Sequence, residues 1–174
     1  MSDPDLVAAQ NPGYVVSNSG PLIALAVVGK LELLHSLFGR ICIPEAVYNE
    51  AVIRGQGQPG SSEVGAAKWI ETRTVKDSFS VNLLREELGA GESEAIVLTQ
   101  ELGARYLLLD DGTARRKTQR LGLSTLGTLG VLLMAKEAGL IARVKPVLDE
   151  LRQTDFRMSL KVYREVQFRA GEVS

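Results

Sequence analysis

Two hydrophobic periods alternate along this chain. Short aliphatic and β-branched runs, YVVS (14–17), RICI (40–43) and ARYLLLDD (104–111), read as strands buried on both faces. IETRTV (70–75) alternates apolar with polar residues and reads as a further strand. Between these runs the apolar positions take helical spacing. PLIALAVVG (21–29) suits a helix capped by Asn18 or Ser19, with Pro21 in its first turn and Gly29 as its stop. KLELLHSLFG (30–39) is a second helix closed by Gly39, and Pro44 opens a third, PEAVYNEAVI (44–53). SEVGAAKW (62–69) is helical, and SVNLLREELGAGESEAIVLTQELG (80–103) is helical with a break at its two glycines. GTARRKTQRLG (112–122) is a short basic helix, TLGVLLMAKEAGL (128–140) an apolar core helix, and residues 143–172 a closing charged pair. RGQGQPGSS (54–62) between the elements reads as a loop. Strands alternating with helices predict an α/β domain with a parallel sheet flanked by helices.

The length of 174 residues suits one domain. We expect a loosely ordered extension over residues 1–13 and a single domain over 14–174. A net charge of −1 argues against a uniformly basic nucleic-acid binder and leaves room for a local basic patch. The single cysteine, Cys42, lies in an apolar run, so it reads as a buried structural thiol, and a reducing cytoplasm fits. No signal peptide and no stretch of membrane-spanning length is visible.

Candidate chemistry narrows by elimination. GQGQPG matches G-x-G-x-x-G through Gly55, Gly57 and Gly60, but a helix pattern precedes it and Pro59 interrupts it, so a dinucleotide site is rejected. His35 is the only histidine, which excludes histidine triads and multi-histidine zinc sites within one chain. Carboxylate, amide, hydroxyl and basic groups remain, and oxygen donors favour hard cations, Mg²⁺ or Mn²⁺.

Acidic residues fall where a parallel sheet binds its ligands, beyond the carboxyl ends of the strands. Glu50 shares a helical face with Ala46 and Val47, so it faces a pocket or pairs with Arg54 one turn on. Glu92 suits the favourable charge of a helix N-terminus, whereas Glu94 directly precedes the apolar AIVL and can point inward. Asp110 and Asp111 end the clearest strand; adjacent strand residues point to opposite faces, so only one is expected in the pocket, and the alternative is a capped turn. The basic helix carrying Arg115, Arg116, Lys117 and Arg120 could grip phosphates, or it is a solvated face paired with nearby acids. The aromatic residues show no stacking pattern.

Taken together, VVSNSGPLIALAVVGKLELLHSLFGRICIPEAVYNEA, GAGESEAIVL and LLLDDGTARRKTQRLGLSTLGTLGVLLMAKEAGLI resemble the PIN-domain proteins, in particular the prokaryotic PIN-like nucleic-acid-binding branch related to toxin–antitoxin ribonucleases. The resemblance runs from Tyr14 to the C-terminal RAGE. It implies a three-layer α/β/α sandwich with a central parallel sheet and a metal-dependent endoribonuclease of toxin type using Mg²⁺ or Mn²⁺. RNA, an antitoxin protein and a second copy of the chain are the implied partners. The family acids fall on Asn18, Glu50, Glu94 and Asp111, with Asp110 as rival to Asp111; Glu50, Glu94, Asp110 and Asp111 are the metal candidates. Ser19 matches a small hydroxyl residue after the first acid, and with Arg115, Arg116 and Arg120 it forms the candidate RNA contact. Asn18 departs from the pattern, because a carboxamide offers an oxygen without a charge. A unit charge about 4 Å from a cation is worth about 4 kcal/mol at an effective dielectric of about 20. The alternative expectation is therefore a weakened or inactive module that binds nucleic acid or a partner. A phosphotransfer domain also gathers acids at strand ends, but Asn18 at the first strand end argues against the phosphatase type.

Overall fold

The computed structural model describes residues 13–173. Five parallel strands form one sheet: β1 (Val15–Ser17), β2 (Ile41–Pro44), β3 (Ile70–Arg73), β4 (Tyr106–Leu108) and β5 (Thr125–Leu126), in the order β3-β2-β1-β4-β5. Strand order reverses between β1 and β4, the position where open α/β sheets leave a crevice at their carboxyl edge. The expected extension lies outside the described residues, except for Gly13.

Two packed layers of helices follow from residue alternation on the strands. Val15, Ile41, Ile43 and Leu108 enter the larger core, while Val16, Cys42, Leu107 and Leu109 enter the smaller one. The larger core is covered by α1 (Ser19–Val27), α2 (Glu32–Phe38), α8 (Thr128–Glu137), α9 (Lys145–Arg152) and α10 (Leu160–Arg169). The smaller core is covered by α6 (Ala90–Leu102), together with Leu84 from α5 (Ser78–Leu84) and Ala114 from α7 (Gly112–Arg120). This is the three-layer α/β/α sandwich. Cys42 is 2 % exposed within it, and burial pushes its thiol pKa up, the inert state of a packed cysteine.

Local differences from the sequence expectation have simple causes. The helix after Pro44 begins as α3 (Glu45–Tyr48) and then widens into a π turn over Asn49–Ile53, which carries Glu50. No residue type announces that widening. β5 escapes a period-based reading because it is two residues long and half-buried. The GQGQPG segment is a turn, with positive φ at Gly57 and Gly60, and α4 (Ser61–Ala66) follows it. His35 is held in a structural role: its Nδ1 lies 2.6 Å from the Gly39 carbonyl oxygen and its ring stacks on Trp69 at 5.2 Å.

Candidate functional site

The carboxyl ends of β1 and β4 are tied together where the Asn18 amide donates to the Leu108 carbonyl at 3.0 Å. Asn18 is the N-cap residue of α1, but its side chain makes no capping bond. The residue is 8 % exposed, and its Oδ1 is buried without a hydrogen-bond partner among the described residues. An unpartnered buried acceptor is costly. The sequence offered Asn18 or Ser19 as the cap; Asn18 takes the cap position, and its side-chain oxygen is left open.

Glu50 and Glu94 hold two helices together reciprocally. Glu50 Oε1 accepts from the amide of Gly91, second residue of α6, at 3.1 Å, and Glu50 Oε2 accepts from Ser19 Oγ at 3.2 Å. Glu94, from α6, accepts through Oε2 from the amide of Ala46, second residue of α3, at 2.8 Å. Each glutamate thus satisfies an orphan amide in the first turn of the other's helix. The sequence alternative of a Glu50–Arg54 pair does not occur among the described residues. Glu92 takes the capping role expected of it, accepting from the Gly89 amide at 2.9 Å.

The two aspartates repeat the theme. Asp110 accepts from the Thr128 amide at 2.8 Å and the Thr128 hydroxyl at 2.6 Å, at the start of α8. Asp111 is the N-cap of α7 and accepts from the Ala114 amide at 2.8 Å. Burial pushes the Asp110 carboxyl above its ordinary range; the two Thr128 bonds and the nearby Arg115 pull the other way without cancelling it. Opposite-face geometry predicted that only one aspartate would enter the pocket. In fact both border one cavity, lying past the end of the strand at Leu108.

All four candidate carboxylates therefore bind amides in the first turns of helices, and the helix N-termini offset part of their negative charge. Two glycines make room. A Cβ on Gly91 would sit 2.5 Å from Glu50 Oε2, and one on Gly127 would sit 3.0 Å from both Asp110 Oδ1 and Arg115 Nη1. The G-E-S-E pattern marks the acids, while nothing in it marks Gly91 as the neighbour that admits Glu50. Of the basic residues named from sequence, Arg115 borders the cavity with the aspartates. Arg116 and Arg120 do not border it; Arg116 donates to Thr113 Oγ1 at 3.1 Å. Lys117 pairs with Glu87 at 2.6 Å, the solvated-face arrangement expected as the alternative.

A family model described as PIN domain matches residues 14–172. The chain belongs to the PIN-domain family. No curated protein matches it. The PIN fold is a nuclease-type fold, generally dependent on a divalent metal, and it implies nucleic-acid binding. No helix among the described residues is long and apolar enough to cross a membrane.

The chemistry of the donors fits a hard divalent ion, since each is an oxygen and Asn18 Oδ1 is an open buried acceptor. Among the described residues, no three of His, Cys, Asp or Glu gather closely enough to hold a metal by themselves. Mg²⁺ seldom needs such a cage, because one or two carboxylates, water and substrate phosphate commonly complete its shell.

Proposed function

We propose that this PIN-domain protein is a metal-dependent endoribonuclease of the toxin type, acting in the cytoplasm and restrained by an antitoxin partner. One observation carries the reading: on a PIN fold, the oxygen-bearing side chains of Asn18, Glu50, Glu94, Asp110 and Asp111 stand on the elements that flank the carboxyl edge of β1 and β4.

Glu50, Glu94 and Asp111 would hold Mg²⁺ or Mn²⁺, with Asn18 as a neutral fourth donor. When bound, such an ion supplies charge neutralisation at the phosphoryl oxygens and acidifies water. The chain's own contribution is positional. The Gly91 and Ala46 amides fix Glu50 and Glu94 in place as acceptors. Asn18 offers a carboxamide to orient the attacking water. Asp110 stays committed to the Thr128 amide and hydroxyl at the start of α8. His35 is engaged with Gly39 and Trp69, so no histidine is placed to activate a 2′-hydroxyl, and the expected product carries a 5′-phosphate.

The test is cleavage of single-stranded RNA with Mn²⁺. Wild type should cut, Asp111→Asn should lose at least about 100-fold in kcat, within the range for removing one group that stabilises transition-state charge, and Asn18→Asp should cut faster. Absence of cleavage by wild type across several RNAs sinks the proposal. A second reading, a binding module that has given up catalysis, is favoured by the missing charge at Asn18. It expects Asn18→Asp to gain calorimetric Mn²⁺ binding that wild type lacks.

A further inference from the structure

The sheet ends on one side at β3, whose outer edge leaves backbone groups over. β3 pairs with β2 in parallel, Ile41 against Ile70 and Ile43 against Thr72. The Ile41 amide donates to the Trp69 carbonyl at 3.1 Å. Successive strand residues present their peptide groups to opposite sides. In this register Glu71 and Arg73 therefore bond toward β2, and Thr72 turns its amide and carbonyl outward. Among the described residues, neither of these Thr72 groups nor the Ile70 carbonyl takes a partner from a turn, loop or side chain. Thr72 is exposed. Such an edge is a template for another strand. The opposite edge strand, β5, is only two residues long.

Charge on an edge strand ordinarily discourages pairing. In β3 the order of the charges has the reverse effect for one partner. Laid antiparallel on a second copy of itself about Thr72, the segment sets Thr72 on Thr72, Glu71 on Arg73 and Ile70 on Thr74. The two Thr72 residues then exchange both their hydrogen bonds, and each Thr74 amide reaches the Ile70 carbonyl of the other copy. Glu71 and Arg73 fall on the non-hydrogen-bonded positions, where Cα atoms lie about 4.5 Å apart and side chains are closest. Opposite charges directly across an antiparallel pair stabilise it. Within its own chain Glu71 already accepts from Arg40 at 3.0 Å and Arg73 at 3.5 Å, so its carboxylate is held among guanidinium groups. No other register works as well. A slip of one residue opposes outward backbone to inward backbone, and a slip of two sets Glu71 on Glu71 or Arg73 on Arg73. Beyond the strand the same register sets Lys68 against Lys76, which confines the ladder to residues 70–74 and keeps the association weak.

We propose that two copies of this chain pair through β3, antiparallel about Thr72, into one sheet continuous across both. This pairing stands apart from the ribonuclease reading and uses none of its residues. Because the paired strands run in opposite directions, the crevices at β1 and β4 of the two copies open toward opposite ends and stay clear of the interface.

Sedimentation equilibrium of the full chain at concentrations up to about 1 mM tests it. Wild type should show a reversible monomer–dimer equilibrium. Thr72→Pro removes an outward amide that β2 does not use, a change an edge strand tolerates. It should keep the wild-type Tm and associate at least about tenfold more weakly. Glu71→Arg and Arg73→Glu should each weaken self-association at least about tenfold, because like charges then face each other. Mixed in equal amounts, these two variants should associate with one another at least as tightly as wild type does with itself. A wild type that stays monomeric throughout overturns the pairing. So does a dimer that all three single variants leave unchanged. Should Thr72→Pro melt early, the charge reversals decide alone: association restored in the mixture supports the β3 pairing, and association not restored overturns it.

Discussion

Burial raises the Asp110 carboxyl pKa, and the sign of its effect on stability follows. Its folded pKa is raised above the ordinary carboxylate value, with desolvation the largest cause. Between the ordinary pKa and the raised one, the folded state binds more protons than the unfolded state, so stability falls as pH rises through that window. Asp110→Asn removes the buried charge and keeps an acceptor oxygen for the Thr128 amide. We expect a higher Tm than wild type at pH 7 and a difference that shrinks at pH 4; a lower Tm at pH 7 contradicts this account. Asn18→Asp should act oppositely. It adds a charge at a site 8 % exposed, so its Tm should fall in EDTA and recover with Mn²⁺. The acids at Glu50, Glu94 and Asp110 and the gap at Asn18 were all visible in the sequence. That each acid meets a helix amide was not, because those partners lie 41, 48 and 18 residues away for Glu50, Glu94 and Asp110.

Helices α3 and α6 are paired through their N-termini by Glu50 and Glu94, and the bare backbone of Gly91 permits it. Alanine normally stabilises a helix over glycine by up to about 1 kcal/mol. Here the added Cβ would fall 2.5 Å from Glu50 Oε2. Gly91→Ala should therefore lower Tm, whereas in a Glu50→Ala background the same change should be neutral or raise it. Additive effects in that cycle would show that the two residues do not constrain each other. A second element-scale tie closes the chain. Glu172, with its side chain 4 % exposed, pairs with Lys136 at 2.9 Å and accepts from the Val144 and Lys145 amides. Burial pushes its carboxyl up, but Lys136 and the two amides pull it further down, leaving it below the ordinary range. Its stabilising effect is present above the ordinary glutamate pKa and is lost as pH falls through the lowered one. Glu172→Gln should cost about 2 kcal/mol, read as a Tm loss of about 4–8 °C at pH 7 that narrows in acid. No change at pH 7 would mean the terminal segment is not held by this carboxylate.

At the scale of the whole molecule, each candidate acid meets a helix amide of its own, so folding does not wait for a metal. EDTA should leave Tm within experimental scatter of the untreated protein. Mn²⁺ should raise Tm only as mass action allows, about 2.7 kcal/mol at a hundredfold excess over Kd. A large drop in chelator would show a structural ion instead. Residue order by itself determined the alternation of strands and helices and the burial of Cys42, because period, turn chemistry and residue type act locally. Only the tertiary structure decided the rest: the π turn carrying Glu50, the two-residue β5, the open Oδ1 of Asn18, and the meeting of Arg115 with Arg157 and Arg169 around one cavity. Those features depend on which elements pack together across long stretches of chain. Helix amides and distant arginines carry no mark in sequence of the carboxylate or cavity they will face.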